Sequence, residues 1–174
     1  WAENGLITAS GGKLTTFRLS AIDAMNAALP WLKKPKQQTQ NSTQVFNQNS
    51  VDTIFKESSH NKAWLQRLIG RYGDQAALIL EQASIEEQLT LGDSQFCLAE
   101  CRWAIKNEGV IHLDDLLLRR TRLGLLMHQG ASALFIQLAD IFEQELGWSA
   151  KKWQSEVRRY NNIWQKHYYL PNNK

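Results

Sequence analysis

An all-helical fold is what this sequence predicts: an antiparallel bundle of about six helices, preceded by a short strand–turn–helix. Three observations predict it. No proline interrupts the chain between Pro35 and Pro171, which leaves long helices unhindered. The same stretch is rich in Leu, Ala, Glu, Gln, Arg and Lys and poor in Val, a balance that favours helix over sheet. Glycines then fall between segments of helical periodicity, where helix stop signals belong.

Taken in order, Leu6-Ile7-Thr8-Ala9 reads as the end of a short strand, and Gly11-Gly12 forces a tight turn. Thr15 or Thr16 can cap a helix running to about Leu29, with Leu14, Ala21, Ile22, Met25 and Ala28 as its apolar side and Pro30 as its stop. Residues 33–50 turn to Gln, Asn, Ser, Thr and Lys, the composition of a linker. Beyond it, Asn61 to Tyr72 turns Trp64, Leu65, Leu68 and Ile69 inward and ends at Gly73. Asp74 can cap a second helix through Ala76, Ala77, Leu80 and Ala83. A third is expected from about Asp93 to Asn107, striped by Phe96, Cys97, Ala99, Trp103 and Ala104 and ended by Gly109. The fourth spans Asp114 to Met127, with Leu116, Leu117, Leu123 and Leu126 apolar. Leu134, Leu138, Ile141 and Phe142 define a fifth that ends at Gly147. Ser149 caps a sixth carrying Trp153, Val157, Tyr160 and Trp164.

Composition narrows the function classes. With 43% hydrophobic and 21% charged residues, the 174-residue chain is globular rather than disordered. A net charge of +3 does not call for a nucleic-acid partner, and none is expected. No apolar run reaches bilayer length, and the first residues show no secretory pattern. Two cysteines, Cys97 and Cys101, are no disulfide framework, and a reducing cytosol suits them.

The informative stretch is Gly11-Gly12-Lys13-Leu14-Thr15-Thr16-Phe17-Arg18. A double glycine before a capped helix lets backbone approach a ligand closely and aims unpaired helix N–H groups at it. Such an end favours negative charge by roughly 0.3–1 kcal/mol. The reduced edge of a flavin and a phosphate both satisfy that description, and a plain turn without a ligand is the bland alternative.

Two segments carry a family resemblance. Gly5-Leu6-Ile7-Thr8 followed by Gly11 to Arg18 resembles the strand–turn–helix that closes the FAD domain of FAD-dependent glycerol-3-phosphate dehydrogenases. Leu113-Asp114-Asp115-Leu116-Leu117-Leu118-Arg119-Arg120-Thr121-Arg122-Leu123-Gly124 resembles the signature of that family's helical C-terminal domain. Arg71-Tyr72-Gly73 and the acids Glu100 and Glu108 match it as well, whereas His112 replaces the usual Thr, so that Asp114 becomes the expected helix cap.

The resemblance implies a division into 1–32, the end of the FAD-binding domain; 33–50, a polar linker; and 51–174, a helical cap domain. It implies that Gly11, Gly12, Lys13, Leu14, Thr15 and Thr16 contact FAD, and that Lys13 faces the substrate and holds an oxygen of glycerol 3-phosphate. In such enzymes hydride passes from the substrate C2 to flavin N5, and electrons go on to a membrane quinone. The implied partner is an upstream FAD and substrate domain of the same polypeptide, in an enzyme lying peripherally on the inner face of the cytoplasmic membrane. The glycine fingerprint that holds the FAD pyrophosphate has no counterpart in the sequence, so this chain alone is expected to bind FAD poorly and to lack catalytic residues. Residues 1–12, deprived of a sheet, are expected to pack poorly or to pair with another molecule. A stand-alone helical protein-interaction module is the alternative of a different class; it has no need of the glycine–lysine turn.

Other clusters read more simply. Asp114 and Asp115 suit the first turn of a helix, with Asp115 one turn before Arg119. Glu100 is expected to pair with Arg119 or Arg120. Cys97, Cys101 and His112 supply three possible zinc ligands without a fourth, and no metal is expected. The last helix, with Lys151, Lys152, Arg158, Arg159 and Lys166 beside Trp148, Trp153, Tyr160, Trp164 and Tyr168, fits packing on the bundle with its charges in water, or a peripheral membrane contact.

Overall fold

A computed structural model describes residues 5–32, 50–55 and 59–170, which form an all-helical protein. Most of the polar linker expected over 33–50 lies outside the described residues. The chain divides into two compact units, residues 1–45 and 46–174.

In the first unit, helix α1 (Phe17–Ala28) follows a 3-10 turn at Leu14–Thr16 and runs into a second 3-10 turn at Leu29–Trp31, which holds Pro30. The stop is where proline chemistry puts it, since Pro30 lacks the amide that a further helical turn needs. No strand forms over residues 6–9, contrary to the sequence expectation. A strand is defined by a ladder of hydrogen bonds to a neighbouring strand, and among the described residues the one isolated β-bridge joins Thr90 to Cys97, away from this segment. No residue of α1 is buried: Phe17, Leu19, Ile22 and Met25 all face water.

The second unit begins with α2 (Val51–Ile54), a turn that sequence patterning missed, whose cap Ser50 Oγ accepts from Thr53 N at 3.2 Å. Helix α3 (Lys62–Tyr72) is capped by Asn61 Oδ1, which accepts from the amides of Ala63 and Trp64 at 2.9 and 3.3 Å. Its predicted inward face is the buried one: Trp64, Leu65, Leu68 and Ile69. Helix α4 (Ala76–Glu81) comes next.

Helix α5 (Leu98–Asn107) starts later than the periodicity suggested. Ser94 Oγ donates to Leu91 O at 2.7 Å and accepts from Phe96 N at 3.3 Å, which folds residues 91–96 into a turn instead of a first helical turn. Cys97 is then extended, and its amide is taken by Glu100 Oε2 at 3.1 Å.

The fourth predicted helix is broken. A π-helical turn (Asp115–Arg120) ends where Thr121 Oγ1 donates to Leu116 O at 2.8 Å, and Arg122 then adopts a left-handed conformation at φ 57°. Only the short α6 (Leu123–Leu126) follows. The break rotates the apolar face: Leu123 is buried, but Leu126, expected inward, is 64% exposed. Gln129, Gly130 and Ala131 are left-handed in succession, at φ 48°, 65° and 61°. Helices α7 (Phe135–Leu146) and α8 (Ala150–His167) close the unit, with Gly147 left-handed between them and Ser149 Oγ accepting from Lys152 N at 3.3 Å.

Two apolar clusters meet at α5. One gathers Leu65, Leu68, Ile69, Ala76, Ile79, Cys97 and Ala99; the other gathers Cys101, Ala104, Leu113, Leu116, Leu117, Leu123, Leu138, Phe142 and Tyr160.

Candidate functional site

The turn singled out in the sequence is built by two left-handed glycines, Gly11 at φ 83° and Gly12 at φ 91°, followed by an extended Lys13. A side chain at either glycine would be strained, which explains the residue choice. Thr16, not Thr15, secures the helix start: its Oγ1 accepts from Lys13 N at 3.1 Å and donates to Lys13 O at 2.9 Å. Ser20 Oγ reaches back to Thr16 O at 3.3 Å. Lys13, Leu14 and Thr15 stand exposed, and a Cβ built on Gly11 would meet nothing within 4 Å. The amides of Leu14 and Thr15 open the helix with no intrahelical carbonyl one turn earlier. The arrangement offers donors and one cation to a flat or anionic group, with open space above Gly11 for its approach.

The signature segment of the second unit does structural work. Asp114 is buried and accepts from two guanidiniums, those of Arg119 and Arg159. It is therefore not the helix cap. That task falls to Asp115, whose Oδ2 accepts from the amides of Ile111 and His112 at 3.1 and 2.9 Å, while its Oδ1 meets Arg119 at 3.0 Å as the sequence spacing implied. Glu100 pairs with neither Arg119 nor Arg120. Its partner is Arg67 of α3, through bonds of 3.0 and 2.6 Å to the two carboxylate oxygens. Arg120 instead donates from Nε to Glu108 O at 2.8 Å. Arg67 lies 33 residues before Glu100, beyond the reach of any local spacing rule, so the sequence does not disclose this pair. Arg67 Nε is buried without a hydrogen-bond partner, and the guanidinium lies 5.1 Å from the Phe96 ring and 5.8 Å from the Trp64 ring, whose faces attract the cation.

Helix α8 is held by a second buried carboxylate. Glu156 accepts from Lys152 at 2.6 Å, from His112 Nδ1 at 3.1 Å and from Leu113 N at 3.4 Å. Of the aromatics predicted for the bundle, Trp148, Trp153, Tyr160 and Trp164 pack there, whereas Tyr168 is exposed; Tyr160 is buried and donates to Gly130 O at 2.7 Å, and Trp164 Nε1 donates to Gly124 O at 2.8 Å.

Burial disfavours the charged form of both Asp114 and Glu156. Bonds from Arg119 and Arg159 outweigh it at the first, and bonds from Lys152 and His112 at the second, so both carboxyls sit below their ordinary values. Groups with depressed folded values stabilise the protein above their unfolded pKa, about 4, and lose that contribution as pH falls further. Acid unfolding followed by tryptophan fluorescence should therefore steepen below about pH 4. Asp114→Asn should flatten that slope while lowering stability at neutral pH.

Cys97 and Cys101 are wholly buried free thiols, and burial pushes Cys97 up to about 12. His112 turns to Glu156 rather than to them, and among the described residues no group of His, Cys, Asp and Glu is arranged to hold a metal.

Comparison with known proteins gives a consistent result. A family model described as the C-terminal domain of alpha-glycerophosphate oxidase matches residues 39–153. The chain is 29% identical to a glycerol-3-phosphate dehydrogenase of Mycobacterium leprae (strain TN), covering 90% of this chain and 29% of that protein. It is 28% identical to the mitochondrial glycerol-3-phosphate dehydrogenases of Bos taurus and Homo sapiens, covering 90% of this chain and 23% of each. The chain thus spans less than a third of the length of these relatives. No solved structure matches it.

Proposed function

The chain belongs to the family of C-terminal domains of alpha-glycerophosphate oxidase, and from that premise we propose that it is the C-terminal part of an FAD-dependent glycerol-3-phosphate dehydrogenase. The whole enzyme would oxidise sn-glycerol 3-phosphate to dihydroxyacetone phosphate and pass electrons to quinone. Residues 1–32 close its flavin domain, 33–50 link, and 51–174 form the cap.

One observation carries the reading. The glycine–lysine turn, with Gly11 and Gly12 both left-handed and free helix-opening amides beyond them, stands ahead of the matched helical domain. The open space over Gly11 admits a flat ring against backbone, so the residues present fit the isoalloxazine of FAD. Gly11, Gly12, Leu14, Thr15 and Thr16 would line it, with the amide dipoles aimed at its N1/C2 carbonyl edge. The flavin supplies the hydride acceptor. Lys13 would hold an oxygen of the substrate as a point charge, which orients C2 without itself exchanging a proton. The chain lacks a dinucleotide fingerprint, so FAD binding and turnover belong to the longer polypeptide. Because the acceptor is a membrane quinone, we place the enzyme peripherally on the inner face of the cytoplasmic membrane.

The test uses the full-length protein. Purified enzyme should carry flavin and reduce a soluble quinone analogue when given glycerol 3-phosphate. Lys13→Ala should lower kcat/KM about 10- to 100-fold, the loss of one charge-assisted hydrogen bond. Kinetics equal to wild type would remove Lys13 from the site. A full-length protein without flavin would end the proposal.

A further inference from the structure

Gln129 stands where the backbone asks for glycine. It opens a run of three left-handed residues, Gln129, Gly130 and Ala131 at φ 48°, 65° and 61°, a region that residues other than glycine enter only at a cost. Tyr160 holds the run by donating to Gly130 O at 2.7 Å. Gly130 is forced by packing, because a Cβ there would lie 3.0 Å from the Trp164 indole. Packing does not ask for glutamine at 129, whose side chain is exposed. It lines a cleft of about 600 Å³ with Ser132, Asn161, Trp164, Gln165 and Tyr169, a volume within the range of about 300–1,000 Å³ usual for small-molecule sites. Every lining side chain is uncharged. The Trp164 indole is fixed by its bond to Gly124 O at 2.8 Å. Just past α8, the Tyr169 amide donates to Trp164 O at 3.0 Å, which brings the tyrosine ring onto the indole with 5.4 Å between centroids and 61° between planes. Among the described residues, the side-chain amides of Gln129, Asn161 and Gln165 and the Ser132 hydroxyl have no hydrogen-bond partner. Strained backbone of this kind gathers at ligand clamps.

We propose that this cleft binds a neutral saccharide of one or two rings, a role that does not depend on the flavin reading. The lining chemistry selects that class. A carboxamide sets a donor beside an acceptor, which matches a sugar hydroxyl that is both, whereas a charged ligand would meet no counter-charge. The faces of Trp164 and Tyr169 attract the slightly positive C–H groups of a sugar ring. These two rings touch each other at an angle, so no flat base fits between them. A puckered ring, with C–H groups on more than one side, suits such a corner. The indole and the left-handed backbone are both held in place before a ligand arrives, which spares it the cost of ordering them.

Titration of the full-length protein with maltose, lactose and chitobiose, followed by saturation-transfer NMR and calorimetry, supplies the test. At least one of the three should bind saturably with a Kd of about 0.1–10 mM. Gln129→Gly should weaken that binding about 5- to 10-fold, the loss of one neutral hydrogen bond, while Tm stays level or rises because glycine is at ease in the left-handed region. Tyr169→Ala should weaken it at least about tenfold with the far-UV helical signal unchanged, since the ring is 55% exposed and lies beyond α8. Absence of binding by all three saccharides at about 50 mM would overturn the proposal. So would binding that both variants leave unchanged, because the sugar would then sit elsewhere on the protein. Tighter binding of adenosine than of every saccharide would overturn it as well, making the cleft a site for flat rings.

Discussion

Gly124→Ala should lower the stability of the helical unit by about 3 kcal/mol, a fall in Tm of about 6–12 °C. A Cβ at this position would lie 2.3 Å from Tyr160 Oη, 3.0 Å from Leu118 Cδ2 and 3.2 Å from the carbonyl oxygen of Leu117. Two of those neighbours cannot yield cheaply. The Leu117 oxygen is backbone, and Tyr160 is fully buried, with its hydroxyl committed to Gly130 O and its ring 6.0 Å from that of Phe135. Displacing Tyr160 also releases the left-handed run that it holds. The shortest of these approaches is to the hydroxyl, so Tyr160→Phe should partly rescue Gly124→Ala, and the pair of changes should cost less than the sum of the singles. Thermal melts by circular dichroism decide it; a Tm within about 2 °C of wild type for Gly124→Ala would show that the helices do not approach so closely.

The second large effect belongs to Arg67. Arg67→Ala should cost about 3–5 kcal/mol, because it leaves the fully buried Glu100 without its counter-charge. Glu100→Gln should cost less. It keeps an oxygen that can accept from the Cys97 amide, whereas Glu100→Ala removes the acceptor and frees the start of α5. Urea titration of the variants orders them: Arg67→Ala lowest, Glu100→Gln between it and wild type. Equal midpoints for wild type and Glu100→Gln would mean that the pair does not hold α3 to α5.

What could be read from residue order, and what could not, divides along the range of the interactions. Helices α3, α7 and α8 declared themselves because each has a local cap or stop and an unbroken apolar stripe: Asn61 and Gly73, then Gly147, then Ser149. The break between Leu113 and Leu134 was invisible to periodicity. Leu116, Leu117 and Leu123 keep helical spacing across a π turn and a left-handed Arg122 that tertiary bonds impose. The buried ion pairs were illegible for the same reason: Arg67 with Glu100 and Arg159 with Asp114 join residues far apart in the chain. The double glycine and Lys13 stood out as a ligand-type turn from composition alone. Proposing a flavin as its ligand rests on the family resemblance, because a turn of donors is equally suited to phosphate.

Helix α5 has a cluster on each side of it, with Cys97 and Ala99 turned one way and Cys101 and Ala104 the other. Neither half of the unit owns this helix, so neither can lose it and remain. Its two thiols sit at the seam, masked from solvent. Their rate of alkylation should therefore report a single all-or-none opening, with both sulfurs surrendered together, and would serve as a native clock for the whole helical unit.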